Sequence, residues 1–187
     1  MEQQIIAAYK KEDFREWLIK NHEKESKVGV IVHKRHTGKP FPSHRELMEE
    51  AICFGWIDTI IKRIDEDTFI RYFSTRTSNS RWSDNTLGYA KRLIREGLMS
   101  ERGMHYYKLG LAKPTHDHGI PKDPVIPEEL KKALSKNKKA EKLFESFSPS
   151  VKRATYRWIL RAKLAPTKEK RIKRTIENIF KNNKGIY

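Results

Sequence analysis

Five basic side chains and two tryptophans lie between residues 56 and 82, the densest set of groups in the chain that could do chemistry. Guanidinium groups pair with phosphate or carboxylate through two parallel hydrogen bonds, and indole rings supply apolar area against which a ligand can pack. We therefore predict a site that holds a small anionic ligand or an acidic segment of a partner protein. Its candidate ligand-binding residues are Trp56, Asp58, Lys62, Arg63, Arg71, Arg76 and Trp82.

Two other interpretations of the same residues stay open. In the structural one, Asp58 and Arg71 form an ion pair across neighbouring strands, and both tryptophans belong to the core. In the enzymatic one, Asp58 acts as a general base beside Lys62, and arginines stabilise an anionic transition state. The sequence shows no partner group for Asp58 and indicates no reaction, so the leading hypothesis is a non-enzymatic binding protein.

The positive charge of the chain is concentrated near its C-terminus. Of the formal net charge of +16, residues 126–187 carry +12 and residues 1–125 carry +4. Basic residues that follow phosphates without contacting bases give an affinity that falls steeply with salt, so nonspecific nucleic-acid binding is an alternative function. A solvated basic surface explains the same charge without any ligand. The candidate nucleic-acid-binding residues are Arg153, Arg157, Arg161, Lys170, Arg171 and Arg174.

The hydrophobic patterns place the candidate ligand site on a β-hairpin. Residues 56–64 and 68–75 are both rich in β-branched and aromatic side chains, and an acidic turn separates them. If side chains alternate strictly along the first strand, Asp58 and Lys62 share one face and Arg63 lies on the other. With a further strand at 28–32, we predict an α+β fold whose small antiparallel sheet consists of one strand plus this hairpin.

Helical patterns surround these strands. A helix is predicted at 13–22 with the Asp13 side chain as its N-terminal cap, and three more should begin at the capping residues Ser43, Ser83 and Ser100. Together with the sheet they form a domain at 1–112.

A second portion of the chain follows a linker. From Lys113 to Pro127 the sequence has four prolines and little apolar periodicity, which predicts a linker at 113–126. Four amphipathic patterns then predict a basic four-helix module at 127–187.

Several classes of protein and of site are not expected. No stretch approaches the roughly 18 apolar residues of a transmembrane helix, and the N-terminus lacks the pattern of a signal peptide. The single cysteine, Cys53, fits a reducing compartment, so we expect a cytoplasmic protein. Gly-rich phosphate loops are absent, and His116 and His118 lack a third ligand, so no cofactor or metal is predicted.

Two portions of the chain resemble the YdeI/OmpD-associated family, also called the bacteriocin-protection family. The residues that carry the resemblance are Ala51–Asp58, Lys62, Arg63, Tyr72–Arg76, Arg81–Ser83, Leu93–Ser100, Gly103, Pro127–Leu130, Phe144, Phe147–Pro149, Tyr156–Ile159 and Lys170–Glu177. The resemblance implies a cytoplasmic protein connected with envelope stress and with resistance to antimicrobial peptides, and it implies no established reaction. The recurrent residues of the family fall here on Gly55, Trp56, Asp58, Lys62, Arg63, Arg76, Trp82 and Ser83.

Overall fold

The chain divides into two compact units, with the boundary between Thr115 and His116. Our computed structural model describes residues 4–181. The first unit combines helices with a sheet, and the second is helical, so the predicted α+β class is confirmed. The boundary falls within the segment that was predicted as a linker. In the described part of the chain, no helix is both long and apolar enough to cross a membrane.

A four-stranded mixed sheet organises the first unit, in the strand order β1-β2-β4-β3. The strands are β1 (Gln4–Ala7), β2 (Lys27–His33), β3 (Trp56–Arg63) and β4 (Thr68–Thr75). The hairpin of β3 and β4 and the strand β2 are confirmed. The prediction of a purely antiparallel sheet was wrong, because β1 pairs with β2 in parallel. Strand β1 has only four residues, too few for an alternating pattern to mark it.

Four α-helices pack in the first unit. They are α1 (Lys11–Asn21), α2 (His44–Cys53), α3 (Asp84–Arg95) and α4 (Glu101–Leu111), with one 3-10 turn at Arg35–Thr37. The hydroxyls of Ser43, Ser83 and Ser100 accept the backbone N–H of the residue three positions on, as predicted. The cap predicted at Asp13 was misplaced, because α1 begins two residues earlier. The Asp13 carboxylate accepts the backbone N–H groups of Tyr9 and Lys10.

The core of this unit lies between the helices and one face of the sheet. Val28, Val30 and Val32 alternate along β2 and are fully buried, and Phe73 of β4 pairs with Val28 on the same face. The Phe14 ring of α1 packs against Phe73 with 4.7 Å between centroids. Phe73 and Arg71 of β4 and Trp56 of β3 are therefore buried beneath the helices, whereas β3 becomes exposed towards its end at Arg63.

The second unit is a four-helix module, as predicted. Its helices are α5 (Glu128–Ser135), α6 (Lys138–Glu145), α7 (Pro149–Leu160) and α8 (Ala165–Phe180). Helix α8 packs against each of the other three. Its core consists of Leu130, Leu134, Ala140, Phe144, Phe147, Ile159 and Ile179.

Helix α4 crosses the end of α2 at a glycine. Ser100 donates both its backbone N–H and its hydroxyl to the carbonyl oxygen of Cys53, at 2.9 and 2.8 Å. One turn later, a Cβ atom on Gly103 would collide with the Cys53 backbone. The close approach of the two helices therefore requires glycine at position 103.

Two glycine-to-alanine substitutions test this packing. Gly103→Ala should lower the free energy of unfolding by about 2 kcal/mol, because the added methyl forces α4 away from α2. Gly88→Ala in α3 is the matched control, since a Cβ there meets nothing within 4 Å. It should raise the free energy of unfolding by about 0.5 kcal/mol through helix propensity. Urea unfolding measures both values, and a Gly103→Ala variant as stable as the parent would contradict the packing.

Candidate functional site

Asp58, Arg71 and His44 form a hydrogen-bonded group on the helix-covered face of the sheet. Nη1 of Arg71 on β4 donates to Oδ2 of Asp58 on β3, at 3.1 Å. Nε2 of His44 lies 3.1 Å from the same oxygen. His44 is the first residue of α2, so the packing of this helix against β3 brings the imidazole to the carboxylate. The cross-strand pair of the structural interpretation is therefore present, together with a histidine that the sequence did not indicate.

Arg71 is nearly buried and only partly paired. Its side chain is 9% exposed, whereas that of Asp58 is 27% exposed and that of His44 is 50% exposed. Its Nε is buried and has no hydrogen-bond partner within residues 4–181. Burial lowers the pKa of the Arg71 guanidinium, and the nearby Asp58 carboxylate opposes that effect.

Arg76 is a second buried guanidinium close to this group. It follows β4, is 2% exposed, and lies 3.8 Å from the centroid of the Trp82 ring. Its hydrogen bonds go to the backbone carbonyl oxygens of Trp56 and Arg81, at 3.3 and 3.4 Å. Burial lowers the pKa of Arg76 to about 10, against the attraction of the Asp58 carboxylate. In the described chain, no ion pair joins Arg76 to a carboxylate.

Both tryptophans of the predicted site belong to the core. Trp56 is fully buried and Trp82 is 2% exposed. The Trp56 ring contacts Trp17 edge to face, and the Trp82 ring contacts Tyr107 in the same way. Their burial leaves no ring face open for a ligand to stack on, so that role is corrected: the Trp82 ring packs against Arg76, and the Trp56 backbone carbonyl accepts a hydrogen bond from Arg76.

Lys62 and Arg63 lie apart from the Asp58 group. A β-bulge between Asp58 and Ile61 shifts the alternation of β3, so Lys62 pairs with Ile70 and faces away from Arg71. Its ammonium lies 5.6 Å from the centroid of the Tyr72 ring. Arg63 forms an ion pair with Glu66 in the exposed hairpin turn. The prediction that Asp58 and Lys62 share a face was wrong, and neither basic residue joins the buried cluster.

The geometry favours binding an anion over general-base catalysis. Two buried guanidinium groups share one carboxylate, since Arg71 pairs with Asp58 and Arg76 is attracted to it without direct contact, so cationic groups outnumber anionic ones in a place of low dielectric constant. The Oδ2 atom of Asp58 already accepts from Arg71 and lies within hydrogen-bonding distance of His44. A substrate proton would have to compete with those partners.

The arginines predicted on α7 are paired within the second unit. Nη2 of Arg157 and Nε of Arg161 donate to the two oxygens of Asp117, at 2.6 and 2.5 Å. Arg153 lies 3.7 Å from an oxygen of Asp123. The bonds from Arg161 and Arg157 lower the pKa of Asp117 to about 2. This stripe therefore ties the segment before α5 to α7.

The basic residues of α8 divide into contacting and exposed groups. Arg171 donates to the backbone carbonyl of Trp158, and its guanidinium lies 5.1 Å from the centroid of the Trp158 ring. Lys170 and Arg174 are exposed. Of the six residues proposed to contact nucleic acid, four thus have protein partners. Nucleic-acid binding stays a prediction.

Two family models match the chain, one on each side of the boundary between the two compact units. Residues 6–106 match the model of a domain of unknown function, DUF8412, and the chain belongs to that family. Residues 123–182 match the model described as bacteriocin-protection, YdeI or OmpD-associated. The predicted resemblance is confirmed for that stretch, whereas the similar residues of the first portion lie in the region of the other model. Comparisons with curated proteins and with solved structures gave no match.

The Asp117 cluster predicts a specific loss of stability in acid. A carboxyl whose pKa falls from 3.8 to about 2 on folding stabilises the folded state fully above roughly pH 5. That contribution, about 2 kcal/mol, should be lost progressively as the pH falls from roughly 5 through the folded pKa of about 2. Urea unfolding followed by circular dichroism should show a smaller acid loss of stability in Asp117→Asn than in the parent, because the carboxyls of other residues such as Glu46 and Asp65 still titrate with lowered pKa values. Glu145→Gln is the control, and an unchanged acid loss in Asp117→Asn would contradict the assignment.

Proposed function

We propose that the protein is a non-enzymatic, cytoplasmic binding protein that holds a small anion beside Asp58, Arg71 and His44. The observation that carries this proposal is the presence of two buried guanidinium groups beside one carboxylate. Burying a charge without a counter-ion is costly, and the cost falls when a bound anion supplies the missing charge. Groups with shifted pKa values, such as Arg71 and Arg76, are frequent at functional sites for this reason.

The cluster has an edge that a ligand can reach. His44 is half exposed and Asp58 is about one quarter exposed, while Arg71 lies deeper. An anion entering past the imidazole would meet the Arg71 guanidinium, whose Nε lacks a partner among residues 4–181. Phosphate and carboxylate both match the planar donor geometry of arginine. An acidic segment of a partner protein would offer the same carboxylate chemistry.

The biological role within this proposal follows the description of the matched family. The family model that covers residues 123–182 is described as bacteriocin-protection, and we extend that stress-related role to this chain. The net charge of +16 opposes direct capture of a cationic peptide. The proposed protection therefore acts through the anionic ligand.

Calorimetric titration with inorganic phosphate, sulfate and citrate tests the proposal. The parent should bind at least one of these anions, and Arg71→Met should weaken that binding at least tenfold, because it removes a charge-assisted hydrogen bond. Arg63→Met is the matched control, since Arg63 pairs with Glu66 in the exposed turn and should not affect binding. Circular dichroism checks that both variants fold.

Two results would overturn the proposal. One is the absence of saturable binding of all three anions by the folded parent at millimolar concentration. The other is equal affinity in the parent and in a folded Arg71→Met variant, which would place the anion elsewhere.

A further inference from the structure

A second pocket in the first unit lies apart from the Asp58 cluster. It has a volume of about 360 Å³ and is formed by the loop between β1 and α1 and by the loop before α2. Its lining residues include Tyr9, Lys10, Lys11, Lys39 and Phe41, and the two acidic residues Glu12 and Glu46. None of the residues that line it belongs to the Asp58 cluster, so the two sites can be tested separately.

The pocket lies at the carboxyl end of β1, beside the parallel pair β1 and β2. Strands β1 and β2 are parallel and α1 crosses between them, so Tyr9 to Glu12 directly follow the carboxyl end of β1. Ligands of open α/β sheets bind in the crevice outside the carboxyl ends of parallel strands. The Asp13 carboxylate already accepts the backbone N–H groups of Tyr9 and Lys10. These two N–H groups are therefore not available to a ligand, and we assign the binding charge to the lysine side chains.

The charged side chains of the pocket carry a small excess of positive charge. Three lysines line it against two glutamates, and the Glu46 carboxylate accepts the backbone N–H of Ser43 at 2.7 Å in its capping box. Lysine ammonium groups on flexible stems bind phosphate as point charges, without requiring a fixed geometry.

Two aromatic rings accompany these cations. Tyr9 is 49% exposed and Phe41 is 38% exposed, so both rings offer surface to a ligand. Tyr9 is held by the His33 ring, 5.6 Å away between centroids. Phe41 stands between Pro40 and Pro42, whose fixed backbone angles reduce the entropy lost when the loop orders around a ligand. Exposed rings beside cations suit a ligand that has both a planar base and a phosphate.

We propose that this pocket binds a free mononucleotide, with the base against Tyr9 or Phe41 and the phosphates among Lys10, Lys11 and Lys39. Its volume lies at the lower end of the range of small-molecule sites, which favours one nucleotide over a polymer. The inference is independent of the anion site beside Arg71.

Calorimetric titration of the full chain with ADP, adenosine and inorganic phosphate tests this inference. ADP should bind saturably and more tightly than either fragment. The double variant Lys11→Ala/Lys39→Ala should weaken ADP binding at least tenfold through the lost phosphate contacts. Phe41→Ala should weaken it about tenfold through lost stacking. Lys20→Ala, on the exposed last turn of α1, is the matched control and should leave the affinity unchanged.

A Phe41→Trp variant supplies a direct signal. Its ring keeps the stacking surface, so ADP should bind and quench the new indole fluorescence. Failure of the folded parent to bind ADP at millimolar concentration would overturn the inference. Equal affinities for phosphate and ADP would overturn the role of the rings. ADP binding that survives the double lysine variant and is lost in Arg71→Met would move the nucleotide to the other site.

Discussion

In the first unit, the carboxylate of Asp58 compensates the charges of two buried guanidinium groups, those of Arg71 and Arg76. Much of the packing of this unit holds these two guanidinium groups in position. Asp58 pairs directly with Arg71 and attracts Arg76 through space. The Trp82 ring covers Arg76. Helix α4 can lie close to that ring because residue 110 is glycine, and a Cβ atom at this position would collide with the ring. A positive charge held in the core thus constrains the hairpin, the loop behind it and the last helix of the unit.

The second unit also has one carboxylate beside two arginines, but in a different arrangement. Asp117 also faces two arginines, but Arg157 and Arg161 both bond to it directly, and its pKa falls to about 2. Both oxygens of the Asp117 carboxylate accept hydrogen bonds from these two guanidinium groups, so each arginine of this cluster is paired directly with the carboxylate. In the first unit, Arg76 has only backbone oxygens and the Trp82 ring as close partners within the described chain. The incomplete cluster is therefore the better candidate for binding an anion.

The local features of the fold were predictable from sequence, whereas those created by tertiary pairing were not. The hairpin and the serine caps follow from neighbouring residues, and the structure has both. Strand β1 needs its partner β2, more than twenty residues away, and has too few residues of its own to reveal it. Strict alternation of side chains along β3 would put Lys62 on the same face of the sheet as Asp58. The bulge between Asp58 and Ile61 moves Lys62 to the opposite face. Burial of Arg76 contradicts the general exposure of arginine, and it depends on tertiary contacts with the Trp82 ring and the backbone carbonyls of Trp56 and Arg81.

The free energies of unfolding of Asp58→Asn, Arg71→Met and the double variant test the central claim most directly. Asp58→Asn should cost about 3 kcal/mol, because it leaves two buried cations without a carboxylate. Arg71→Met removes one of those cations and should cost only about 1 kcal/mol. The double variant should be more stable than the sum of the single costs predicts, by at least about 1 kcal/mol. Small and additive costs, below about 0.5 kcal/mol each, would show that the buried guanidinium groups do not require the Asp58 carboxylate.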